Sequence, residues 1–133
     1  MIVESFEEFA GLLGPMQALA GLDYGSKTIG IAVSDRLRSV ASPLRTIRRR
    51  KFRDDADALL AVLAEREIGG LVLGLSRNMD GSEGPRCQST RAFARNLSAL
   101  TPVPIAYWDE RLSTVAAERV LLEADTSRAR RAE

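Results

Sequence analysis

The run Gly70-Leu71-Val72-Leu73-Gly74 sets three consecutive large aliphatic residues between two glycines. It has no polar alternation and is too short for a helix, as expected of a central strand buried on both faces in a parallel sheet. Parallel strands cannot be joined by a tight turn, so the chain must supply crossovers, usually helical, around this run. It does so on both sides. From Lys51 to Glu67, Phe52, Ala56, Leu59, Leu60 and Leu63 recur at helical spacing, with Asp54, Asp55 and Asp57 in the first turns where the helix dipole favours them. After the run, a polar loop leads through Pro85 into a helix that carries Phe93, Leu97 and Leu100 on one face. Val103 to Trp108 reads as a further strand, and a last helix is expected near Thr114 to Leu122, where Ser113 or Thr114 can cap it.

Upstream the pattern is different. Thr28 to Ser34 alternates, with Ile29, Ile31 and Val33 on one face and Thr28, Gly30, Ala32 and Ser34 on the other, which is strand periodicity. Gly25 and Ser26 stand where the chain must reverse, so a first strand ending at Asp23 forms a hairpin with it. Val40 to Ile47 is a third extended run, in which Pro43 indicates an edge or a bulge. Residues 1–15 form an amphipathic extension packed on the outside. Ser5 caps a short helix striped by Phe6, Phe9, Leu12 and Leu13 and stopped by Gly14 and Pro15. The expected fold of residues 16–133 is α/β: a mixed five-stranded sheet, made of a three-strand antiparallel meander plus two parallel strands, flanked by helices.

Composition narrows the chemistry. At 133 residues and 45% hydrophobic content the chain suits one domain, and neither a membrane span nor a secretory leader can be read in it. There is no histidine and only one cysteine, Cys87, which excludes histidine-based catalysis, internal disulfides and zinc clusters, and fits a reducing, cytoplasmic compartment. Carboxylates, hydroxyls, arginines or a metal must carry any catalysis. The net charge of +1 hides an uneven distribution: Arg45, Arg48, Arg49, Arg50, Lys51 and Arg53 fall together. Such a cluster suits a phosphate backbone, and equally suits a solvated strand-to-helix connection.

A carboxylate on a strand at Asp23 requires a partner if it is desolvated. One partner set is the turn amides that follow it. The other comes from Asp109 and Glu110 at the end of the last strand. If the two strands are neighbours, the three carboxylates share one crevice at the C-terminal ends of the parallel strands. Clustered carboxylates repel, and Mg²⁺ or Mn²⁺ is the usual remedy for an all-oxygen set, giving the machinery of phosphodiester hydrolysis. Tyr24 points to the opposite face and reads as structural, Trp108 as core or rim packing, and Cys87 as a bystander.

Three stretches, GLDYGSKTIGIAVSD, VLGLSRNMDGSEG and WDERLSTVAAERVL, resemble in this order the YqgF/RuvX family, bacterial proteins described as Holliday-junction resolvases and as pre-16S rRNA nucleases. The resemblance runs from Ala20 to about Arg131. It implies an RNase H-like fold and a metal-dependent nuclease acting on structured nucleic acid, with pre-rRNA as the expected substrate. The alternatives are branched DNA, which would require a homodimer, and a non-catalytic RNA-binding assembly role. By this resemblance Asp23, Asp109 and Glu110 are the catalytic and metal-binding acids, with Arg111 beside them. The family's G-L-P-x-N-M-D-G-[ST] loop stands here as Gly74 to Ser82 with Ser76 in place of the usual proline, and Arg77, Asn78 and Ser82 are its expected phosphate contacts. Gly25, Lys27, Arg91 and Arg95 complete the expected substrate-binding set. The resemblance also implies a further helix with another catalytic aspartate past the position of Glu133, where this sequence stops, so that either the chain is truncated or a metal ligand has been lost; Asp125 is too early to match that aspartate.

Overall fold

The strand Ile68–Leu75 (β5) is hydrogen-bonded along both edges, to Ala18–Tyr24 (β2) and to Ile105–Asp109 (β6), in parallel on both sides. This is the environment that its unbroken apolar sequence requires: Leu71, Leu73 and Leu75 are almost completely buried. The computed structural model describes residues 1–38 and 40–109. Glu110, Arg111 and the expected helix at Thr114 to Leu122 lie outside the described residues.

From β2 the chain turns back through Thr28–Ser34 (β3) and Ala41–Arg48 (β4), forming the expected antiparallel meander. The helix Phe52–Glu65 (α2) returns the chain to β5, and the helix Pro85–Ser98 (α3) connects β5 to β6. Pro43 lies on the edge strand β4 beside a register shift, where Ile31 pairs with Arg45 and Ala32 with Pro43, so that Leu44 is left over.

Among the described residues the sheet has six strands rather than five, in the order β1-β6-β5-β2-β3-β4. The additional strand is Ile2–Val3 (β1), paired in parallel with Ile105 and Ala106. Two residues are too few to display alternation, so this pairing leaves no periodic trace in the sequence. Immediately after it, Ser5 caps the helix Phe6–Leu12 (α1) by accepting hydrogen bonds from the amides of Glu7 and Glu8.

The two faces of the sheet are covered unequally. Ala20, Leu22, Ile29, Ile31, Leu71, Leu73 and Ile105 pack against Leu59, Val62 and Leu63 of α2 and Phe93, Ala94 and Leu97 of α3, forming the main core. On the opposite face, Phe9 of α1 packs with Val3 and Ala106, flanked by Leu13, Leu19 and Val72. Gly70 lies directly beneath: a Cβ there would come within 2.6 Å of the Phe9 ring and 2.8 Å of Leu13.

Phe9→Ala removes the one fully buried side chain of α1, a truncation that typically costs about 3 kcal/mol or more. Phe6 is exposed. Urea unfolding should therefore show a large loss for Phe9→Ala and a much smaller one for Phe6→Ala; equal losses would mean that α1 is not anchored through Phe9.

Candidate functional site

Strand alternation fixes where each acidic residue points. Leu22 pairs with Leu73, and Leu73 with Tyr107, on the face covered by α2 and α3. Asp23, one residue on, projects from the other face, beyond the reach of α1. There the sheet is built from small residues, and Gly21, Gly30, Ala32 and Gly74 form the floor of an open cavity of about 580 Å³ with Asp23, Trp108, Arg45 and Thr46 on its walls. A Cβ at Gly21 would meet nothing within 4 Å.

Asp23 is exposed, and among the described residues no hydrogen bond or ion pair reaches its carboxylate. The turn amides do not satisfy it: the amide of Gly25 donates instead to the carbonyl of Thr28, at 2.9 Å. Tyr24 faces the core, as expected, where it stacks on Phe93 with ring centroids 4.4 Å apart. Trp108 makes an edge-to-face contact with Phe6, at 5.5 Å. Cys87 is fully buried.

Asp109 does not share the crevice with Asp23. The strands that carry them are not neighbours, because β5 lies between β2 and β6, which separates their backbones by about 10 Å. Asp109 pairs with Leu75, two residues beyond Leu73, and so projects from the α3 side of the sheet, opposite to Asp23. There its Oδ2 lies 3.6 Å from Nη1 of Arg77. No group of three potential metal ligands occurs among the described residues. Asp23, exposed and unpaired among the described residues, fits a role as one oxygen ligand of a divalent cation; Asp109 lies on the other face of the sheet, beside Arg77.

Arg77 belongs to a charged network that no local spacing announces. Its Nε is 3.3 Å from Glu83 Oε2, too poorly aligned for a hydrogen bond. Arg91 of α3 grips the same carboxylate with two donors, Nε to Oε1 at 2.6 Å and Nη2 to Oε2 at 2.7 Å. It also lies over the Tyr107 ring at 4.6 Å and reaches Glu4 at 3.4 Å. The hydrogen bonds from Arg91 hold the Glu83 carboxyl below its usual range, against the opposing effect of burial, and Glu83 in turn raises the Arg91 guanidinium. Burial pushes the Tyr107 phenol up, and nearby Arg91 partly offsets this. Glu83 and Arg91 are eight residues apart across a helix start, a separation that carries no signature of contact.

The loop between β5 and α3 is closed on itself. Asn78 Nδ2 donates to Ser82 Oγ at 3.0 Å, while the Ser82 amide and hydroxyl both donate to Asp80 Oδ1, at 2.9 and 2.6 Å. Gly81 adopts φ 89°, which glycine accommodates without strain. Asn78 and Ser82 are thus turned toward one another, and Arg77 and Arg91 toward Glu83. Lys27 and Arg95 are exposed. Gly25 forms the hairpin turn, where a Cβ would come within 3.0 Å of the Thr28 carbonyl oxygen.

This is an RNase H-like α/β domain with an acidic residue on the open face of its central strands. Two solved structures share the fold: a Thermus thermophilus RuvC bound to a Holliday junction substrate (TM-score 0.51, 13% identity, 74% of this chain and 71% of that one) and the large terminase nuclease of phage G20c (TM-score 0.53, 17% identity, 81% and 55%). The sequence profile of the RuvX family, described as Holliday junction resolvase, matches residues 17–133. Relatives named "Putative pre-16S rRNA nuclease" align over all 133 residues, at 73% identity in Ruegeria pomeroyi and 70% in Paracoccus denitrificans, covering 86% and 84% of those proteins. The chain belongs to the RuvX family.

Because the Glu83 carboxyl has a lower pKa folded than unfolded, its contribution is complete above the unfolded value of about 4.5 and is lost as pH falls through the folded value. Glu83→Gln should cost about 1 kcal/mol near neutral pH. Urea titrations of the two proteins should converge as the pH is lowered well below 4.5; an equal gap at acidic and neutral pH would show that the charge on Glu83 is not what stabilises the loop.

Proposed function

We propose that this chain is a divalent-metal-dependent nuclease that hydrolyses phosphodiester bonds in structured nucleic acid, with the 5′ end of pre-16S rRNA as its substrate and the cytoplasm as its place of action. The observation that carries this reading is the Asp23 carboxylate, exposed and without a partner among the described residues over a floor of glycine and alanine. That floor leaves room for a phosphodiester to approach the strand backbones closely. The names of the curated relatives support the rRNA substrate.

Asp23 and Glu110 are the proposed ligands of Mg²⁺ or Mn²⁺, a hard-cation choice set by an all-oxygen donor set. When bound, the metal supplies activation of water and stabilisation of the leaving oxygen. Asp109 has a different role, because its carboxylate holds Arg77, which Glu83 also faces, and so positions a cation at the C-terminal edge of the sheet. Lys27, Arg95 and Arg111 are proposed backbone contacts, along with the turn at Gly25. Arg77, Asn78, Ser82 and Arg91 join them only if substrate draws them from their present partners.

Cleavage of a branched DNA junction is the second reading, favoured by the description of the matching family profile. It requires two active sites and hence a homodimer.

Asp23→Asn should lower the cleavage rate of a pre-16S leader RNA by at least about a hundredfold, while RNA affinity stays within about threefold. Asp109→Asn should cost far less, roughly tenfold. Full activity in Asp23→Asn would refute the site, and equal losses in the two variants would put Asp109 back among the metal ligands. A four-way DNA junction assayed in parallel decides between the substrates.

A further inference from the structure

A second concavity lies around the edge of the sheet from Asp23. It encloses about 200 Å³ between the β2–β3 turn and the first turn of α3, with the side chains of Ser26, Arg49, Arg86 and Ser89 on its walls. Among the described residues its lining contributes two arginines, two serines and Tyr24, and no acidic residue.

The arginines differ in how they are held. Arg49 is fixed: its Nη1 donates to the carbonyls of Gly25 and Ser26 at 2.9 and 3.2 Å, and its guanidinium lies 4.3 Å from the centre of the Tyr24 ring, which is stacked on Phe93. One nitrogen is occupied by the turn, and among the described residues no acceptor takes the rest of the five-donor fork. Arg86 is exposed, and no ion pair with it occurs among the described residues. Ser89 stands one turn further along α3. The start of that helix adds positive potential, because Gly84 provides no side-chain cap and the first turn carries no acidic residue.

We propose that this concavity binds a backbone phosphate of the nucleic acid next to the one being cleaved. The inference rests on the nuclease reading. Tyr24, which walls the concavity, directly follows Asp23 and projects from the opposite face, so a strand passing over the C-terminal edge of the sheet meets both sites. Planar guanidinium groups match phosphate oxygens in pairs, and among the described residues that line the concavity no carboxylate competes for them. The fixed Arg49 provides a preorganised donor, and Arg86 closes from the solvent side.

The test is the affinity of the full chain for a pre-16S leader RNA in chelator, measured from about 50 to 200 mM salt, for the wild type, Arg86→Ala and Arg86→Lys. Arg86→Ala should bind roughly three- to tenfold more weakly, with a salt dependence shallower by about 0.7–0.9 in log–log slope, the signature of one lost phosphate contact; Arg86→Lys should restore most of the slope. Unchanged affinity and slope in Arg86→Ala, beside wild-type cleavage that Asp23→Asn abolishes, would overturn the subsite and leave the nuclease intact. Wild-type protein that neither binds nor cuts RNA or a DNA junction would overturn both. An NMR titration with inorganic phosphate separates the sources: phosphate binding lost in Arg86→Ala with RNA affinity unchanged would make this a free-phosphate site and contradict the proposal.

Discussion

The pairing of β5 with β2 on one edge and β6 on the other is the constraint from which the rest follows. It buries Leu71, Leu73 and Leu75 and forces α2 and α3 onto the same face as crossovers. Register then decides the chemistry, because a shift of one residue would send every side chain of a strand to the other face. With Leu22 opposite Leu73, Asp23 must leave the core side. With Leu75 opposite Asp109, that second aspartate must stay on it. Two acids that both end parallel strands are thereby given different surroundings, one in an open cavity, the other beside an arginine.

The α3 side of the C-terminal edge is organised by charge. Glu83 accepts both donors of Arg91 and faces Arg77, and Arg77 faces Asp109, so the loop after β5, the helix α3 and the end of β6 are tied together. Glu4 joins the same Arg91, linking the segment before α1 to this network. On the opposite face the sheet presents glycine and alanine. One side of the edge is thus cross-linked, and the other leaves open space beside a carboxylate. A site that acts on a large, charged polymer needs both: a fixed frame and a surface that the polymer can approach.

Much of this was legible in the residues. The alternation in Thr28 to Ser34 gave β3 without error, and the switch to helical spacing after Lys51 gave α2 to within a residue or two, because long periodic segments report their own burial. Ser5 was a readable cap, and Pro43 a readable edge. Strand adjacency was not legible. Asp23 and Asp109 each ended a strand, but no local pattern reveals that β5 inserts between them or that the parity of its register separates their side chains. Ile2–Val3 escaped because two residues carry no period. The Glu83–Arg91 pair and the Arg49–Arg86 concavity arise from tertiary proximity, which spacing along the chain does not encode.

The central claim is that the Asp23 carboxylate, on the open face, is where a divalent cation binds. Paramagnetic broadening of amide and indole NMR signals by substoichiometric Mn²⁺ tests it most directly, because it maps distance from the ion without requiring turnover. Preferential loss is expected for the signals of Gly21, Gly30, Gly74 and the Trp108 indole, which share the cavity with Asp23, and those signals should be retained in Asp23→Asn. Broadening centred instead on Arg77, Glu83 and Asp109, or an unchanged pattern in Asp23→Asn, would contradict the claim.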